Sequence, residues 1–177
     1  IDEELPIVVA IKKDENVIGK LLLSHPNIDV NRVLNGGLNG KNKLSPLSYA
    51  INYGAVGFVS ILLQHKDIDV NLFSHIYDQD EESDYSESFL ARAIIMQDVE
   101  IVKLLLSHPN IDVNCKNIIN VQNKYYSEAY IFRYAIKAND NEMMNLLLNH
   151  PKIDVNVKEL VNHSNNSLIS KEALLHT

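Results

Sequence analysis

The phrase Leu-Leu-Leu-Ser-His-Pro-Asn-Ile-Asp-Val-Asn runs from Leu21 to Asn31 and again, without a change, from Leu104 to Asn114. It returns in altered form from Ile61 to Asn71 and from Leu146 to Asn156. The closing asparagines, at 31, 71, 114 and 156, are spaced by 40, 43 and 42 residues. A period in that range marks stacked repeat units rather than one unrepeated globule.

An alanine stands fifteen residues before the histidine of each phrase: Ala10, Ala50, Ala93 and Ala135 precede His25, His65, His108 and His150. The stretch from alanine to histidine is therefore constant, and the stretch after the asparagine is not. Each unit holds two elements fixed to one another and one variable connection. Around Ala93 the apolar residues Leu90, Ala93 and Ile94 fall at i, i+3 and i+4, and Ile101, Leu104 and Leu105 repeat that spacing, which predicts a helix, a short turn and a second helix. Glu100 precedes Lys103 by three residues, so a pair along the second helix is expected, contributing a few tenths of a kcal/mol.

Proline follows the histidine at 26, 109 and 151 and disfavours helical angles in the residue before it. The second helix is thus expected to end at the histidine. Lys66 takes that place in the second unit, which predicts a softer stop, although its charge suits a helix C-terminus. Asn27-Ile28-Asp29 and its counterparts then supply side chains that bond their own backbone in turns. A lone helix pair cannot offset its ordering entropy, because burying one leucine or valine contributes only about 1.5–3 kcal/mol. Stacking against neighbours supplies the missing burial.

Ser45-Pro46-Leu47-Ser48-Tyr49-Ala50, followed by Gly54, resembles the Thr-Pro-Leu-His-x-Ala…Gly signature of ankyrin repeats, and the Leu-Leu…Asp-Val-Asn ending is similar to that family's second helix and turn. Leu5-Pro6-Ile7…Ala10 is a weaker copy. Phe89 and Ile131 replace the proline in the later units, and Gln97 and Asn139 replace the glycine. The resemblance covers about residues 4 to 156. It implies an all-α solenoid of stacked helix-turn-helix units with long β-hairpin fingers, in one domain over 1–177. The repeats are expected at about 4–31, 44–71, 87–114 and 129–156, with 164–177 as the terminal helix of a partial fifth.

The family's period is about 33 residues. The three connections Asn31 to Ser45, Asn71 to Ser88 and Asn114 to Tyr130 should therefore form fingers enlarged by roughly six to nine residues. Because the chain starts at Ile1 and its first helix has no preceding finger, it is expected to be a piece of a longer protein with further repeats or an attached domain.

The formal net charge of −7 sits mostly in one segment, where Asp78, Asp80, Glu81, Glu82, Asp84 and Glu87 occur without a cation. The near-neutral remainder gathers no basic face of the kind nucleic acids require. No apolar run approaches a membrane span, and Cys115, the only cysteine, fits a reducing compartment such as the cytosol.

Chemistry is hard to place on this chain. Equivalent histidines in neighbouring units are separated by a helix packing distance of about 8–10 Å, too far to share a zinc ion bound at about 2.0–2.1 Å. Gly36-Gly37-Leu38-Asn39-Gly40 lacks the following Lys-Ser/Thr of a phosphate loop and reads as a hairpin turn. Asp78, Asp80 and Glu82 alternate as calcium ligands would, without the glycine and terminal glutamate of the known loop. The expectation is no catalytic residue, no cofactor and no metal.

What remains is binding. Tyr77 and Tyr85 flank the acidic finger, Tyr125 and Tyr126 mark the next, and tyrosine is enriched at interface hot spots. Phe73 and Tyr130 read instead as packing for the long loops. The resemblance implies contacts through finger tips and through the two positions after the first helix's alanines, which here include Tyr53, Ile95 and Met96. The expected function is a monomeric, non-catalytic scaffold that grips another protein through Tyr53, Tyr77, Asp78, Asp80, Glu81, Glu82, Asp84, Tyr85, Ile95, Met96, Tyr125 and Tyr126, the acids favouring a partner with a basic surface. Two alternatives are a structural spacer that associates with itself and the substrate-recruiting part of an enzyme whose catalytic domain lies elsewhere.

Overall fold

A computed structural model describes residues 4–36, 41–79, 82–121, 125–158 and 160–163. Among them, eight helices pair into four units: α1 (Pro6–Lys12) with α2 (Asn16–Leu23), α3 (Pro46–Asn52) with α4 (Val56–Leu63), α5 (Phe89–Ile95) with α6 (Val99–Ser107), and α7 (Ile131–Ala138) with α8 (Asn141–Leu148). The first helices stack in the order α1, α3, α5, α7, and α2, α4 and α6 stack beside them. One apolar core runs through all four units, from Ile7 to Leu147. The alanines at 10, 50, 93 and 135 are all buried within it.

Local chemistry sets the helix ends. Ser45 caps α3 in a reciprocal box with Ser48, Ser88 caps α5 by accepting from the Ala91 amide, and Asp98 and Asp140 cap α6 and α8, each relieving an otherwise orphaned N–H. The residue four after each alanine turns left-handed: Asp14 (φ 55°), Gly54 (φ 61°), Gln97 (φ 57°) and Asn139 (φ 51°). This is the position of the family glycine, and the turn keeps its geometry with three other side chains. In the first three units the alanine carbonyl accepts a hydrogen bond from the residue five ahead, at 2.9 Å from Glu15, 2.9 Å from Ala55 and 3.1 Å from Asp98, the wide closure of a left-handed helix stop.

The second helices end before the histidines, and α4 stops at Leu63, in phase with Leu23 and Leu148. Lys66 in place of proline does not lengthen it. The shared cause is the histidine, whose Nδ1 accepts from the backbone amide two residues on: Asn27 at 3.2 Å, Asp67 at 3.2 Å, Asn110 at 3.3 Å and Lys152 at 3.3 Å. Each aspartate of the phrase closes a second turn by accepting from the asparagine amide two residues further, at 2.8–3.1 Å.

The class is not the all-α one expected from the sequence, because the fingers add an antiparallel sheet to the stacked helices. The fingers are hairpins, β1 (Leu34–Gly36) with β2 (Asn42–Leu44), β3 (Phe73–Asp78) with β4 (Ser83–Ser88) and β5 (Asn117–Val121) with β6 (Tyr125–Ala129). Each hairpin also pairs with the next, and β7 (Leu160–His163) joins β6, giving a seven-stranded antiparallel sheet in sequence order. Lengthening the fingers brings their backbones into pairing register, which satisfies N–H and C=O groups that solitary hairpins leave open. The expected terminal helix at 164–177 lies outside the described residues.

Candidate functional site

The phrase that dominates the sequence proves to be the joint between units. The Asn31 carboxamide donates to the Asp67 carbonyl at 2.7 Å and accepts from the Asp69 amide at 2.9 Å. Asn71 makes the same pair with Asn110 (2.7 Å) and Asp112 (2.8 Å), and Asn114 with Lys152 (2.7 Å) and Asp154 (2.8 Å). An asparagine alone offers a donor and an acceptor on one short planar group, so it can clamp both sides of the neighbouring turn. Lys103 likewise reaches Glu142 of the next unit at 3.2 Å, not Glu100 on its own helix. The repeated histidines, each engaged at Nδ1 in its own turn, serve this joint.

On the sheet, side chains alternate between faces and directly paired residues share one. Lys43, His75, Ser86, Ile118 and Glu128 are mutually opposed across five strands, and Tyr77 with Asp84 lies two residues along the same face. Lys43, His75, Asp84 and Ile118 are exposed. Lys41 stands over the Tyr77 ring, 3.6 Å from its centre, a contact of ring quadrupole with ammonium. A trough of about 400 Å³ opens here, lined by Lys41, Lys43, His75, Asp84, Ser86 and Ile118 among others.

The opposite face turns to the helices. Ser74 bonds Ser48 of α3 at 2.7 Å, and Glu87 pairs with Arg92 of α5 at 3.5 Å. Burial pushes the Glu87 carboxyl upward from its ordinary value, and the Arg92 guanidinium only partly opposes this. Arg92 in turn donates to Asn52 at 2.7 Å. Buried Asn117 ties neighbouring fingers together, accepting from the Ser88 amide at 2.6 Å and donating to the Ala129 carbonyl at 3.2 Å. Asp78 and Tyr85 share this inner face and are half-buried.

The acidic finger is therefore not one field. Alternation sends Tyr77 and Asp84 to one side and Asp78, Tyr85 and Glu87 to the other, and Glu87 is enclosed with its arginine. Exposed Glu82 leads into β4. Asp80 and Glu81 lie outside the described residues, as do the side chains of Tyr125 and Tyr126, whose backbones form β6.

On the helices, Tyr53 and Met96 stand three residues after Ala50 and Ala93, at the ends of adjacent α3 and α5, and both are exposed, Tyr53 at 55 % and Met96 at 44 %. Ile95 beside Met96 is also exposed. The enlarged fingers leave these three uncovered. Elsewhere, burial pushes the Cys115 thiol upward despite a hydrogen bond with Ser88. Among the described residues no helix is long and apolar enough to cross a membrane.

A stack of helix pairs with hairpin fingers, joined through the Asp-Val-Asn turns, defines a repeat solenoid. The family model described as ankyrin repeats matches residues 7–117 in three copies, and the chain belongs to the ankyrin repeat family. Ankyrin repeats are generally protein–protein interaction modules, and domains built from them are typically non-catalytic. No curated protein matches the chain.

Proposed function

We propose that this chain is a non-catalytic scaffold that binds another protein across the ends of its first helices and the adjoining finger sheet. The observation that carries the reading is the exposed cluster of Tyr53, Ile95 and Met96 on neighbouring helices, within units whose other first-helix apolar residues, such as Leu47, Ile51, Leu90 and Ile94, are fully enclosed. Adjacent stacked helices lie about 8–10 Å apart, so Tyr53 and Met96 form one apolar contact area. Aromatic residues and methionine are enriched at the centres of protein interfaces and charged residues at their rims.

The acidic turn supplies such a rim. Exposed Glu82 and Asp84 border the turn of the second finger, and together with Asp78 and the acids at 80 and 81 in the sequence they favour a partner that offers lysine or arginine. Tyr77 extends the surface along the outer face of the second finger. Lys41 and Lys43, on the neighbouring finger, fix the orientation by repelling a cationic segment placed on the wrong side.

Affinity capture from the source cell's lysate tests the reading with three baits: the native chain, Tyr53→Ala/Met96→Ala, and a chain whose residues 78–87 are replaced by a short turn. A protein retained by the first and lost by the second is the expected result. Capture by the third should be weaker, and capture by the native chain should weaken between about 0.1 and about 0.5 M salt as the Debye length shortens. A partner held equally by all three baits overturns the assigned surface.

A further inference from the structure

The outer face of the finger sheet carries charges that the fold does not close on one another. Lys43, His75, Ser86 and Ile118 are directly opposed on the consecutive strands β2, β3, β4 and β5, in the middle of the stack with further strands on both sides. Where the row continues onto β6, Glu128 is neutralised by Lys116 at 2.8 Å. Lys43, His75 and Asp84 are all exposed, and among the described residues they enter no ion pair. A chain with a formal net charge of −7 thus sets Lys41, Lys43 and His75 against a single aspartate around a trough of about 400 Å³.

The trough has a polarity. Lys41 is held 3.6 Å from the centre of the Tyr77 ring; an ammonium carries three donors and the ring face engages one side of it, which leaves N–H groups for an acceptor. Lys43 and His75 add donors beside it, so this end receives an anionic oxygen. At the other end Ile118 is 36 % exposed and offers an apolar contact. Neighbouring strands lie about 4.7–4.9 Å apart, so the row from Lys43 to Ile118 spans about 14 Å, which four residues of extended chain cover at about 3.3–3.6 Å each. Asp84, paired with Tyr77 in the next row, repels a second anionic group placed between the ends. A nucleic-acid backbone, charged at every unit, meets that repulsion and gains nothing from Ile118. A peptide with one carboxylate and one apolar side chain satisfies both ends.

We propose that this trough docks an extended segment of another protein that crosses the strands, with a carboxylate side chain on Lys41, Lys43 and His75 and an aliphatic or aromatic side chain four residues away on Ile118. The inference rests on the reading of the chain as a protein-binding scaffold and adds the chemistry of the segment that its finger sheet takes. Charge complementarity selects the segment, and the distance from the cationic end to Ile118 sets its register.

A displayed random dodecapeptide library, selected on the 177-residue chain, tests this. The expected result is a set of peptides that share an aspartate or glutamate four residues from an apolar side chain. Their affinity should fall about tenfold or more for Lys43→Glu, since one charge-assisted hydrogen bond is replaced by a repulsion, and by a smaller factor for Lys43→Gln. Ile118→Ser should also weaken them, whereas Asp84→Asn should hold them at least as tightly as the native chain. All four positions are exposed or face the trough, and each variant should keep the native circular dichroism. Tyr53→Ala/Met96→Ala should bind the peptides unchanged, which separates the trough from the helix ends. A selection that yields no peptide, or peptides held equally by the native chain and both Lys43 variants, overturns the proposal. Peptides lost by Tyr53→Ala/Met96→Ala but kept by Lys43→Glu overturn it as well, while leaving the scaffold reading standing. A single-stranded DNA oligonucleotide of mixed sequence should not bind, and binding that Lys43→Glu abolishes would overturn the choice of a peptide.

Discussion

Replacing Asn71 by alanine removes the clamp between the second and third units. Two hydrogen bonds disappear, to the Asn110 carbonyl at 2.7 Å and from the Asp112 amide at 2.8 Å. Each typical bond has a net worth of about 0.5–1.5 kcal/mol, and both partners lie in an exposed turn where water replaces the lost contact. The loss is therefore about 1–3 kcal/mol, without the larger penalty of stranding a buried group. For a chain of this size it corresponds to a fall in melting temperature of about 2–4 °C per kcal/mol. Urea unfolding followed by circular dichroism measures it, with Asn31→Ala and Asn114→Ala expected to behave alike. Asn156→Ala, at the equivalent place in the fourth unit where the carboxamide has no such clamp among the described residues, is the internal control and should change stability by less than about 0.5 kcal/mol, as surface substitutions do. If Asn71→Ala is equally silent, or Asn156→Ala is equally costly, the asparagines do not act through the joint and the reasoning fails.

Three further substitutions probe the packing, the turns and the buried charge. A Cβ on Gly19 would meet the enclosed ring of Phe58, at 2.7 Å from Cζ and closer still to Cε1, so overpacking of about 1–3 kcal/mol should outweigh a helix-propensity gain of up to about 1 kcal/mol; Gly19→Ala should unfold at lower urea, and adding Phe58→Leu should recover part of the loss. Gln97 holds a left-handed φ of 57° with an ordinary side chain, a conformation costing about 1–2 kcal/mol, and Gln97→Gly should raise the urea midpoint. Glu87 has a folded pKa raised above its ordinary 4.5, chiefly by burial. As pH rises from about 4.5 the unfolded chain releases this proton before the folded one does, so the group's contribution to stability falls until pH passes the raised folded value. Comparing urea midpoints of the native chain and Glu87→Gln between about pH 4.5 and 7 should show the variant gaining relative stability as pH rises; a difference that is flat with pH would show that Arg92 already compensates the buried carboxylate.

Periodicity made the units legible. Constant spacing from alanine to histidine reveals two elements of fixed length, and helical spacing within them follows from which residues are apolar. The asparagine clamp was not legible, because its partners lie 36 to 41 residues away and a short-range reading of Asp-Val-Asn finds only a turn. The signal was there in the exact return of an asparagine that the turn itself does not require. The continuous sheet was likewise hidden, since β4 is polar and serine-rich, and only the length of the connections hints that neighbouring fingers meet. For the binding surface, the acidic run read as one field because sequence order places its charges together. Strand alternation separates them, and burial encloses Glu87. Tyr53, Ile95 and Met96 came from the family resemblance, which points to the two positions after the first-helix alanines, and their exposure is what distinguishes them from the core residues beside them.

The central claim is that a protein partner docks on the ends of the first helices. A photoreactive amino acid placed at position 96, and in a separate chain at position 100 on the exposed side of α6, tests it most directly when each is irradiated in the source cell's lysate. The account predicts a discrete adduct from position 96, suppressed when Tyr53 is changed to alanine in the same chain, and none from position 100. An adduct from position 100 with none from position 96 would contradict it.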